Sequence, residues 1–155
     1  AASDLGQLGY AEEAAEILLA LARDLQVGAG VRNAAAGSLG QLGHAQEGAK
    51  VLLALLHDTQ LGAWERSNIA WNLGGLGHVE AAVEVLLDIL RDMQVEAWMH
   101  GYAAYVLGKL GYAAEEVLDS LLALARDEHG DDLVRPDAYK SLKRLVGSAV
   151  EPLKH

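Results

Sequence analysis

The chain has 155 residues, 52% of them apolar and only 5% aromatic, with 17 Gly, 2 Pro, no Cys, no Phe and a formal charge of −10. That length suits one domain, and the missing cysteine excludes disulfides, cysteine-bound zinc and thiol catalysis and fits a reducing, cytoplasmic setting. The acidity argues against nucleic acid or an anionic membrane as partner, since both are bound by basic surfaces, and no apolar run approaches a bilayer span.

Self-similarity sets the elements in order. Leu5-Gly6-Gln7-Leu8-Gly9 returns as Leu39-Gly40-Gln41-Leu42-Gly43, as Leu73-Gly74-Gly75-Leu76-Gly77 and as Leu107-Gly108-Lys109-Leu110-Gly111, in steps of 34 residues. A degraded copy, Leu142 to Gly147, follows after 35, because one Ala is inserted in the turn Tyr112-Ala113-Ala114-Glu115. Each unit reads as two helices. Helix A carries apolar residues at helical spacing: Ile17, Leu18 and Leu21, then Val51, Leu52 and Leu55, then Val85, Leu86 and Ile89, then Leu118, Leu121 and Leu124. Helix B follows a short loop, with Val31, Ala35, Leu39 and Leu42 as its predicted inward row in the first unit. Gly9, Gly43, Gly77 and Gly111 fall where helix B stops, the usual place of a left-handed cap. Gly6, Gly40, Gly74 and Gly108 lie three residues earlier, where a missing side chain lets a neighbouring helix come close. The fold expected is all-α: an α-solenoid, wound as a right-handed superhelix, of about four two-helix units (10–43, 44–77, 78–111 and 112–147) in a single domain.

A second register runs beside the first. Asp24, Asp58, Asp92 and Asp127 end the A helices, and eight residues after each stands Arg32, Arg66, His100 and Arg135. A carboxylate at a helix C-terminus opposes the macrodipole. Its repetition therefore predicts a structural ladder in which Asp accepts hydrogen bonds from the loop and pairs with the basic residue. Recurrence in every unit speaks for structure over catalysis.

The pattern Leu18-Leu19-Ala20-Leu21, Asp24, Val31-Arg32, Ala34-Ala35, Leu39-Gly40-Gln41-Leu42-Gly43 resembles the HEAT repeats, in particular the short variety of phycobilisome-lyase-type proteins. A period of 34 is also the tetratricopeptide length, but that pattern needs a Phe in helix B and a closing Pro, and this chain has no Phe. The resemblance implies a non-catalytic scaffold for a protein or peptide, without a cofactor. Similar arrays follow the nucleotide-binding domain of bacterial NACHT-type signalling ATPases, and the start of this chain inside a helix B reads as a piece of a longer array. A bilin lyase-like or chromophore-binding protein is the alternative, and a designed repeat scaffold a third reading.

The outward positions of helix B suggest where a partner sits. Gly30, Trp64 and Trp98 are equivalent, as are Ala34, Asn68 and Tyr102, and Gly37, Trp71 and Tyr105. The spacing i, i+4, i+7 puts each set on one face, predicting a concave aromatic groove of the kind that supplies binding hot spots. Lys109 adds a polar rim. The glutamates of helix A, from Glu12 onward, read as a solvated convex face. Chemistry is not expected: no His pair stands at i, i+4, no His is followed by Glu as in the iron-binding deoxyhypusine hydroxylases, the acidity argues against a HEAT-like DNA glycosylase, and no glycine-rich phosphate loop occurs.

Overall fold

The computed structural model describes the backbone of residues 2–127 and 134–150 and the side chains of 9–127 and 134–147. Among them are eight α-helices and no strand: α1 (Ala2–Arg23), α2 (Ala29–Leu39), α3 (Ala45–Leu55), α4 (Ala63–Gly75), α5 (Val79–Arg91), α6 (Ala97–Leu110), α7 (Glu115–Arg126) and α8 (Val134–Val150). Their class is the all-α helical repeat of a solenoid. The chain divides into two compact units, Ala1–His78 and Val79–His155, and the division falls at a repeat boundary. In the first unit α1 packs on α3 and α2 on α4; in the second α5 packs on α7 and α6 on α8. Each A helix thus rests on an A helix and each B helix on a B helix, the nearest-neighbour pattern of a repeat array.

The period of 34 is visible in the backbone. Gly43, Gly77 and Gly111 have φ of 85°, 88° and 72°, the left-handed stop expected of them. At the first two, His44 N–H donates to Leu39 O and His78 N–H to Leu73 O, both at 2.9 Å, closing the last turn over the glycine. Gly9 differs from expectation, because α1 runs through it without a stop. The run Ala11 to Glu16 that follows is rich in strong helix formers, so the i→i−4 ladder continues there.

The predicted close approaches are found at Gly40 and Gly108. A methyl on Gly40 would strike the Leu76 side chain, and one on Gly108 would lie 2.8 Å from Ser141 Cα. The surroundings of Gly6 lie outside the described residues. A third close approach, at Gly48, carries no repeated sequence signal: a methyl there would run into the Ala36 carbonyl oxygen, so α3 crosses α2 nearly backbone to backbone.

The core of the first unit is Leu39, Leu52, Leu55, Ile69 and Leu73, and that of the second is Leu86, Ile89, Leu107 and Leu121, all fully buried. Two predicted inward positions are instead exposed, Ile17 at 62% and Val31 at 52%. Helical spacing puts them on the apolar side of α1 and α2, but burial also needs a neighbour on that side. Among the described residues of this unit, α3 and α4 pack elsewhere on the pair.

Candidate functional site

The A-to-B loops are built alike. Asp24, Asp58 and Asp92 each accept, through Oδ1, the backbone N–H two residues on (Gln26, Gln60 and Gln94) at 2.8–2.9 Å. The carbonyl of the same Asp accepts the N–H three residues on, from Val27, Leu61 and Val95. This is an Asx turn stacked on a β-turn, which ends helix A and aims the chain at helix B. In two of the four units the basic residue bonds to a backbone carbonyl. Arg32 Nε donates to Ala22 O at 3.0 Å, and His100 Nε2 lies 3.1 Å from Asp92 O. Arg32 thus reaches one of the last carbonyls of α1, which the helix leaves without a partner, and His100 reaches the Asp92 carbonyl just past α5, which also accepts Val95 N–H. The ladder positions Arg66, Asp127 and Arg135 also hold interactions of their own.

The aromatic residues occupy the outer surface of the B helices. In the first unit α4 presents Trp64 and Trp71 to solvent, with Asn68 half-buried between them. Ile69 and Leu73 on the opposite face are buried. In the second unit α6 presents Trp98 and Tyr105, with Tyr102 half-buried. Trp98 Nε1–H donates to the carboxylate of Glu96. The rings of Tyr102 and Tyr105 stack with centroids 6.3 Å apart, and Lys109 Nζ lies 5.7 Å from the Tyr105 centroid. That places a cation on a paired aromatic surface. Burial pushes the Tyr102 phenol above its ordinary pKa, and the neighbouring Tyr105 pushes in the same direction.

The two glycines that replace aromatic residues in the first unit have different surroundings. A methyl on Gly30 would meet open space. The room where later repeats carry an indole is a cleft of about 120 Å³, bounded by Gly30, Asn33, Trp64, Asn68 and Ile69. Gly37 is occupied from outside, because a methyl there would lie 2.8 Å from Asn72 Cγ. Asn72 Nδ2 donates to Asn33 Oδ1 at 2.9 Å and approaches Asn33 O at 3.4 Å, tying α4 to α2. Sequence reasoning missed this pair. Neither Asn belongs to a repeating column, and the one available signal was two polar side chains on buried faces.

Among the described residues no group of three or more His, Asp or Glu could hold a metal ion. No described helix is long and apolar enough to cross a membrane.

Fold and site together define a helical-repeat protein whose solvent-facing aromatics sit on the second helix of the repeat. The sequence model of the PBS lyase HEAT-like repeat matches residues 31–58 and 65–92, two adjacent copies in the 34-residue register. These two stretches are thus similar to HEAT-like repeats, and each matched copy runs from a helix B to the Asp that ends the next helix A. No curated protein and no solved structure matches the chain significantly.

Proposed function

We propose that this protein is a non-catalytic scaffold that holds a protein or peptide partner on the aromatic faces of α4 and α6. The observation that carries the reading is Trp64, an indole 47% exposed beside the cleft that Gly30 leaves open. An apolar side chain of a partner fits against the indole, in the cleft that Asn33 and Asn68 border. Large rigid aromatics make hot spots because they bury area at low entropic cost. Trp98, Tyr102, Tyr105 and Lys109 offer a second surface of the same chemistry on α6.

The test is selection from a displayed peptide library followed by affinity measurement. Trp64→Ala and Gly30→Trp, the second of which fills the cleft, should each weaken selected peptides by at least about tenfold, the scale of a hot-spot loss. Trp98→Ala together with Tyr105→Ala should do the same for peptides selected on α6. Unchanged affinity in all of these, with helicity retained, would place binding on another face.

HEAT-like repeats also serve as sensor arrays of larger signalling ATPases. On that reading the parent protein carries G-x-x-x-x-G-K-[ST] upstream, where its backbone amides would cradle phosphate. The repeat family's own description favours a bilin-handling protein as the second reading. The scaffold reading expects bilin absorbance to stay unchanged on mixing with the protein, and a spectral shift would favour the lyase-type alternative.

A further inference from the structure

One repeat after the outer positions of α6 come those of α8. Asp137, Lys140 and Arg144 correspond to Tyr102, Tyr105 and Lys109, a step of 35 residues that includes the inserted Ala. The two helices pack within the second unit, and a methyl on Gly108 would lie 2.8 Å from Ser141 Cα. Lys109 and Lys140, the chain neighbours of that contact, therefore stand beside it on adjoining helices. Lys109, Lys140 and Arg144 are exposed. This outer column stays open inside an array, because Trp98, Tyr105 and Lys109 are exposed although α8 already packs on α6. Its charge runs against the −10 of the chain. Beside the cations stands the Asp137 carboxylate, 3.5 Å from Lys140 Nζ, while Glu96 at the far end accepts Trp98 Nε1–H. The exposed glutamates of the unit, Glu80, Glu84, Glu115 and Glu116, belong to the A helices α5 and α7. A cation in the last turn of α6 suits the macrodipole. Lys140 and Arg144 lie in the interior of α8, where the dipole gives no reason for them.

We propose that this face of the second unit takes an acidic peptide segment, its carboxylates held by Lys109, Lys140 and Arg144 and its apolar side chains laid on Tyr102 and Tyr105. The inference rests on the reading of α6 as a partner-binding surface and names the chemistry which that surface selects. Lys109 is positioned in advance: Nζ lies 5.7 Å from the Tyr105 centroid, and Tyr105 stacks on Tyr102. A cation held over a ring loses less freedom when a carboxylate arrives. The Arg144 guanidinium adds a planar fork that meets a carboxylate with two parallel hydrogen bonds. Exposed ion pairs contribute little one by one. Three of them beside an aromatic pair act together, and their field steers an acidic segment to this face and fixes its orientation. The glutamates of α5 and α7 lie in the other helical layer, and exposed charges more than about 8 Å apart are largely screened at physiological salt. The outer column of α4 selects differently, since Trp64, Asn68 and Trp71 bring no cation and Glu65 borders the cleft beside them.

Selection from a random displayed peptide library tests this, with the full chain carrying Trp64→Ala so that the α4 cleft does not contribute. The enriched peptides should hold more Asp and Glu than the starting library. Replacing those carboxylates by amides should weaken binding by at least about tenfold, and affinity should fall as salt is added. Lys109→Glu together with Arg144→Glu, with helicity retained, should weaken the same peptides by at least about tenfold. A selection repeated on that variant should no longer favour acidic peptides. Enrichment of neutral or basic peptides would overturn the inference. If Trp98→Ala with Tyr105→Ala still weakens those peptides, the scaffold reading stands without it. A library that yields no binder, or binders indifferent to both the charge reversals and the aromatic substitutions, would overturn the two together for this face. Peptides held only after phosphorylation of a Ser or Thr would also overturn the inference, in favour of phosphate recognition.

Discussion

Glycine has opposite consequences at two sites in neighbouring helices. At Gly48 a methyl would meet the Ala36 carbonyl oxygen, a backbone atom that cannot rotate away, while at Gly75 it would meet nothing. Gly48→Ala should lower stability by about 1–3 kcal/mol, the usual cost of overpacking, outweighing the better helix propensity of Ala. Gly75→Ala should raise it by up to about 1 kcal/mol. Urea unfolding of the two variants gives the comparison directly. Tyr102 makes a pH-dependent prediction. Its folded pKa is raised, chiefly by burial, so the neutral phenol is the form the fold prefers. The stability this contributes is complete below the unfolded phenol's pKa of about 10 and is lost as pH rises through the folded value. Phenolate absorbance should therefore appear at higher pH in the native protein than in the denatured one, with the unfolding midpoint falling over that range. Residue-scale surprises share one cause. Helical spacing identified the faces of Val31, Ile17 and Gly37, but not whether a neighbour covers a face or, as with Asn72 at Gly37, enters it.

At the scale of the element, the loop between helices A and B is the best-defined piece of the repeat. Three aspartates make the same two contacts, and their purpose was legible because a carboxylate at a helix C-terminus has to be explained by something other than the macrodipole. Asp92→Ala should cost about 1 kcal/mol, one hydrogen bond's net worth. Hydrogen exchange should show Gln94 N–H losing protection first. The partner of Arg32 was not legible. A spacing of eight brings Arg32 near both the Asp24 carboxylate and the end of helix A, and only three-dimensional geometry selects the Ala22 carbonyl. Gly9 shows the same limit, because a Leu-Gly-x-Leu-Gly string permits a stop that the local helix propensity then overrides.

For the whole molecule, the repeat period, the two helices of each repeat and the outward placement of the aromatics could all be read from 34-residue self-similarity. What self-similarity cannot supply is the set of contacts that break it: the Asn33–Asn72 tie and the crossing at Gly48. Because contacts in such arrays are local, damage should be local as well. Leu107→Ala, at a fully buried site, should cost about 2–5 kcal/mol. The first exchange protection to be lost should lie in residues 97–126 and 134–147, ahead of 29–75.

The inserted residue near Gly111 shows how the array tolerates changes in length. Gly111 keeps its left-handed φ of 72°, and the extra Ala is taken up as extended chain at Ala114 before α7 begins at Glu115. After Gly43 and Gly77 the next helix begins two residues on. The glycine thus ends one helix without dictating where the following one starts, and length can change at this seam while the stacking surfaces stay in phase. The same seam is where an epitope or fluorophore can be spliced into the chain without disturbing its helices, and where gene duplication could join units of unequal length.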